Sequence, residues 1–145
     1  MNRYVWDCET DGLLNEMTKI HVISWYNLGT KESGFTHDYE EMREFITGAD
    51  ELVCHNQIRF DTVVVQKLLG IKIKARLIDT LGLSWYINHT RMKHGLESYG
   101  EEYGVSKPVI KDWDNLTPEE YAHKRTRGAT VEIRCTKGTS SLRRD

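Results

Sequence analysis

Asp7 and Glu9 stand two residues apart in Tyr4-Val5-Trp6-Asp7-Cys8-Glu9-Thr10, where the aromatic and β-branched residues predict a strand. Side chains at i and i+2 of a strand share a face, so the two carboxylates stand side by side at the strand's carboxyl end. Like charges that close raise each other's pKa unless a cation sits between them. The same residues also fit a polar strand end running into a turn at Asp11-Gly12. A third acid, Asp61, opens a predicted helix over Asp61–Leu69 and aligns with Val64, Val65 and Leu68 on one apolar face. A charge in line with a buried stripe is costly without a counter-ion. Alternatively, Asp61 caps the helix and favours its dipole. Three acids with no basic partner in reach call for hard divalent cations, Mg²⁺ or Mn²⁺. Zinc would want His or Cys, and none is suitably spaced in the sequence.

The elements that must position these acids follow from local pattern. Lys19–Tyr26 and Ser33–Thr36 read as two more strands after the first, an antiparallel meander. Asp38–Thr47 is a helix with Met42, Phe45 and Ile46 at helical spacing, closed by Gly48. Glu51–His55 is a fourth strand, entered from a helix and so parallel to the first. Asn56–Phe60 forms a loop, and Gly70 ends the helix that Asp61 begins. Lys72–Ile78 alternates as a fifth strand, and Asp79 is the N-cap of an apolar helix through Ile87. Asn88–His94 is a polar, basic loop, Leu96–Tyr103 a helix stopped by Gly104, and Val105–Asn115 irregular. Thr117-Pro118-Glu119-Glu120 starts a final helix with a capping box. In this order the acids meet above the carboxyl ends of adjacent parallel strands, where open α/β sheets place their sites.

The chain has 145 residues, 39% apolar and 29% charged, which fits one soluble globular domain. No apolar run is long enough for a membrane span, and the N-terminus lacks the pattern of a signal peptide. Cys8, Cys54 and Cys135 are odd in number and widely spaced, which points to a reducing, intracellular setting, with Cys8 and Cys54 as core filler. Trp6 and Trp25 read as core and His21 as a sheet residue. The loop with His89, Arg91, Lys93 and His94 could contact phosphates or be solvated. Net charge is −2, but residues 123–145 carry seven Lys/Arg against Glu132 and Asp145. A basic end of this kind touches nucleic acid or is simply solvated.

Trp6-Asp7-Cys8-Glu9-Thr10 resembles the first motif of the DEDD 3′–5′ exonucleases, and His55-Asn56-Gln57-Ile58-Arg59-Phe60-Asp61 resembles their second. Ile78–Ser84 and His94–Gly100 are similar to helices in the proofreading domains of bacteriophage family A DNA polymerases. The resemblance covers about residues 3–123, an exonuclease-like domain spanning 1–123. It implies a ribonuclease H-like three-layer α/β fold, a mixed five-stranded sheet with helices on both faces. It also implies two-metal hydrolysis of terminal phosphodiesters at single-stranded DNA 3′ ends, in which two divalent ions stabilise the attacking and leaving oxygens. Asp7 would bridge both ions, Glu9 would hold the one that binds the nucleophilic water, and Asp61 the other. Asn56 and Phe60 would position the terminal nucleotide, with Asp11, Gly12 and Leu13 along its sugar and base. The implied setting is a phage-infected host cell, the partners a polymerase domain or replication proteins, with no membrane.

The third motif departs from the family. Tyr121 and His123 stand where a residue would orient water, but the fourth acid expected one helical turn on is Arg125 or Gly128. The apolar pattern dissolves at the same point, so residues 124–145 read as an atypical basic tail, a frameshifted or truncated ending. Such a site is expected to be weakened, and a catalytically inactive nucleic-acid-binding module of the same fold is the second reading.

Overall fold

The computed structural model describes residues 1–105; the expectations for residues 106–115, for the helix opened by Thr117, for Tyr121 and His123 and for the tail lie outside them. The described residues form β1 (Arg3–Thr10), β2 (Ile20–Asn27), β3 (Ser33–Thr36), α1 (Tyr39–Gly48), β4 (Glu51–Cys54), α2 (Asp61–Leu69), β5 (Arg76–Asp79), α3 (Thr80–Ile87) and α4 (Leu96–Glu102). The strands make one mixed sheet in the order β3-β2-β1-β4-β5. β1 runs antiparallel to β2 and parallel to β4, and β5 is parallel to β4.

Alternation along β1 divides the core. Trp6 and Cys8 pack with Leu52, Cys54, Met42, Ile46, Val64 and Val65, so α1 and α2 cover one face. Val5, Val53 and Ile78 point the other way and meet Leu83 of α3. Helices therefore flank the sheet on both sides, the three-layer architecture that the strand and helix pattern predicts.

Local caps match the sequence. The Asp38 side chain accepts from the Glu41 amide at the start of α1, and Gly70 closes α2 in the left-handed conformation at φ 65°. Several element ends shift by a single residue, and two boundaries differ more. β1 continues to Thr10, pairing with β2 well past the point where β4 stops. β5 is shorter than the alternation over Lys72–Ile78 indicates. Ile73 and Ala75 pack against the core, but four-residue β4 offers ladder partners only to Arg76–Asp79.

Candidate active site

Only Arg3–Val5 of β1 pair with β4, as Arg3↔Glu51 through Val5↔Val53. Beyond that point the ladder between β1 and β4 stops, and the site is built there. A register shift lies between Glu9 and Thr10, where Glu9 faces Val22 but Thr10 faces Ile20. Such bulges bend a strand and re-aim its side chains, commonly beside active sites.

Asp61 meets β1 beyond the end of that ladder. It is the first residue of α2, while Phe60 occupies the cap position without a side-chain cap bond. The Asp61 carboxylate instead reaches across to β1, where Oδ1 accepts from the Cys8 backbone amide at 3.2 Å and from the Cys8 thiol at 3.2 Å. Helix capping is thus not what holds this acid. Asp61 is 4% exposed, and its burial pushes the carboxyl above its usual range, with the Cys8 hydrogen bonds pulling the other way.

Asp7, Asp61 and Cys54 converge, with one potential ligand atom from each lying within 4.8 Å of the others. The acids on the first strand and the second helix therefore meet as the pattern predicts. Glu9 lies on the same β1 face as Asp7 by alternation, but Cys54 takes the third place in this close group. Two carboxylates and a thiol this near suit a divalent cation, so the donor set fits the metal chemistry expected of it. Cys8 and Cys54 belong to the core, as expected, and both also adjoin these acids. Burial pushes both thiols well up, and the Asp61 and Asp7 charges push them further. Spacing along the chain gave no sign of Cys54 here, because it does not report which strand ends adjoin.

A groove of about 300 Å³ opens beside this centre, lined by Cys8, Glu9, Thr10, Asp11, Gly12, Leu13 and Phe60. Its volume is at the low end for ligand pockets. Leu13 is 73% exposed at its rim. The Asp11 carboxylate ties down the loop, accepting from the Thr18 hydroxyl at 2.5 Å and from the Thr18 and Lys19 amides at 2.8 and 3.0 Å. The Thr18 hydroxyl and these amides lower its pKa to about 2. Asn56 is not among the lining residues; it turns the chain at φ 63°, its amide donating to Asp79 Oδ1 at 2.9 Å.

Two features were invisible in the sequence. Gln57 is fully buried, its carbonyl accepting from Trp6 Nε1 at 3.0 Å and its amide donating to the Leu52 and Ile78 carbonyls. Within the basic loop His89 and Lys93 are exposed, whereas Arg91 and His94 fold back onto the protein. Arg91 stacks over Tyr99 at 4.0 Å and pairs with Glu102, and His94 is buried against Trp85 with Nδ1 2.6 Å from the Ser84 hydroxyl.

No protein-family model matches the sequence, and no curated protein is a detectable relative. Solved structures are similar in fold. The apo form of a nuclease aligns over 97% of this chain and 72% of its own, at 15% identity and a TM-score of 0.66. Brucella melitensis NrnC bound to pGG aligns over 100% of this chain and 75% of its own, at 18% identity and 0.68. The family B DNA polymerase of the hyperthermophilic archaeon Pyrobaculum calidifontis aligns over 98% of this chain but 24% of its own, at 13% identity and 0.68. With its mixed sheet and flanking helices, the chain has a ribonuclease H-like α/β fold.

Proposed function

We propose that this chain is a metal-dependent 3′–5′ exonuclease that trims single-stranded DNA ends, of the proofreading type found in bacteriophage polymerases. The observation that carries this reading is the meeting of Asp7 and Asp61 where the β1–β4 ladder stops, directly beside the groove of Glu9–Leu13 and Phe60. Asp7, Glu9 and Asp61 would hold two divalent cations, Mg²⁺ or Mn²⁺. Bound there, such ions stabilise the attacking and leaving oxygens of an in-line displacement.

The remaining work falls to the chain's own residues. The half-buried Phe60 and exposed Leu13 offer apolar surfaces on the groove to a terminal sugar and base. Asp11 keeps the loop between them rigid. Asp61, anchored on the Cys8 amide, holds its place before any ion arrives, so little reorganisation is needed on binding. Tyr121 or His123 would orient the water. The basic residues of 123–145 would add attraction for the phosphate backbone.

A second reading, an inactive nucleic-acid-binding module, is favoured by one observation: Arg125 or Gly128 stands where a fourth acid belongs. The two readings part on a 5′-labelled single-stranded oligonucleotide. The exonuclease reading expects a ladder shortening from the 3′ end with Mg²⁺, abolished by chelator and by Asp7→Ala, at a rate below the ordinary enzyme range of about 1 s⁻¹ or more. Binding without cleavage, unchanged by Asp7→Ala, would establish the inactive module instead.

A further inference from the structure

We propose that Cys54, together with Asp7 and Asp61, forms a mixed thiolate–carboxylate site for a thiophilic divalent cation of the zinc type. Cys54 ends β4 and is 1% exposed, yet its sulfur belongs to the close group with the two acids, all donor atoms lying within 4.8 Å of one another. Donors sharing one zinc, with Zn–S near 2.3 Å and Zn–O near 2.0–2.2 Å, stand about 3.5 Å apart. The three donors therefore have to draw together, from within 4.8 Å to about 3.5 Å, to share a single ion.

Mg²⁺ has no use for the sulfur. It takes oxygen ligands and keeps several waters, whereas thiolates select zinc-like ions. Cys54 packs in the apolar core, yet its sulfur also adjoins two carboxylates. Ligation releases the Cys54 thiol proton to solvent, leaving a sulfur donor beside two oxygen donors. The site holds one thiolate and two carboxylates, which neutralise a divalent charge with one negative charge in excess. Ion binding is independent of the nuclease reading. Its consequence rests on that reading: a zinc-type ion on Asp7 and Asp61 excludes Mg²⁺ and stops DNA trimming.

The test uses the full chain with Cys135→Ser, so that the only thiols are Cys8 and Cys54. Cd²⁺, a spectroscopically visible zinc analogue, is titrated while the near-ultraviolet thiolate-to-cadmium band is followed, with circular dichroism reporting the fold. The expected result is a band saturating at one equivalent, absent in Cys54→Ser, and an apparent affinity about 10-fold or more weaker in Asp7→Asn. No band, or one that persists unchanged in Cys54→Ser, overturns the proposal. If Cys54→Ser does not fold, the half-buried Asp7 decides, since an unchanged Cd²⁺ affinity in Asp7→Asn overturns it equally. Mg²⁺-dependent cleavage with no band sinks the zinc-type site and leaves the nuclease reading standing. A one-equivalent band in a chain that never cuts DNA supports the site and sinks the nuclease reading alone.

Discussion

The Trp6 indole N–H donates to the Gln57 side-chain carbonyl at 3.0 Å, joining residues 51 positions apart. The Gln57 amide donates to the Leu52 carbonyl at 2.9 Å and the Ile78 carbonyl at 2.8 Å. One fully buried side chain thus links β1, β4 and β5 directly beneath the loop that delivers Asp61. Replacing Gln57 by Leu leaves one donor and two acceptors buried without their partner. At about 1–3 kcal/mol for each such group, a loss of about 3 kcal/mol or more is expected. Gln57→Glu keeps the acceptor for Trp6 but faces two carbonyls with no donor, so it too should destabilise. Urea unfolding of both variants within about 0.5 kcal/mol of the parent, the range of ordinary surface changes, would contradict this account.

Asp79 does the same for the other side of that loop. Its Oδ1 accepts from the Asn56 and Leu81 amides at 2.9 Å each, and its Oδ2 from the Ile58 amide at 3.1 Å. The residue is both the cap of α3 and the staple of the 56–60 turn. Loss of a helix cap alone costs about 0.5–2 kcal/mol. Asp79→Ala should therefore cost about 2 kcal/mol, and hydrogen exchange should show faster opening at Asn56 and Ile58 as well as at Leu81. Protection lost only in α3 would mean that the turn stands without Asp79.

Much of this could be read from local sequence, because the signals were local. Asp79 as an N-cap, Gly70 as a left-handed helix stop and the strand-rich start each depend on neighbours a few residues away. The approach of Asp7 and Asp61 was also legible, since strand, crossover and helix leave few ways to arrange them. Cys54, Gln57 and the Cys8 amide were not. Their roles depend on β4 being only four residues long while β1 runs on. No periodicity encodes that difference in length. Arg91 misled for a related reason: a basic loop looks solvated until Tyr99 and Glu102 fold back onto it.

Gly34 tests the sheet edge. It sits opposite Trp25 in the β2–β3 ladder, and a Cβ placed there would lie 2.5 Å from Trp25 Cζ2 and 2.9 Å from Cε2. The indole has little room to yield, with Tyr4 edge-on at 5.7 Å and Phe45 stacked at 6.1 Å. Gly34→Ala should destabilise by about 1–3 kcal/mol through overpacking, despite the better strand entropy of alanine. The double change with Trp25→Leu should recover most of the loss. If thermal melts show Gly34→Ala neutral on its own, the indole is not pinned as described.

The last prediction concerns Asp61 and pH. Burial raises its carboxyl above the ordinary 3.8, so between 3.8 and the raised value the folded chain binds more protons than the unfolded one. Stability contributed by this group is therefore highest at low pH and falls as pH climbs through the folded value. Asp11, lowered to about 2, works in the opposite sense and in a separate window: its contribution is present above 3.8 and is lost as pH drops through about 2. In metal-free protein this group's contribution should accordingly decline above about pH 4, and Asp61→Asn, which keeps an oxygen for the Cys8 amide, should remove that decline and melt higher at neutral pH. Adding Mg²⁺ or Mn²⁺ should reverse the order. A ligand at 100 times its dissociation constant adds about 2.7 kcal/mol to the parent, and the variant lacking the carboxylate should gain far less. Calorimetry across pH 4–8, with and without metal, reads both effects. A parent that melts higher than Asp61→Asn without metal at every pH would mean that the buried carboxylate is stabilising in its own right and that no cation is needed to satisfy it.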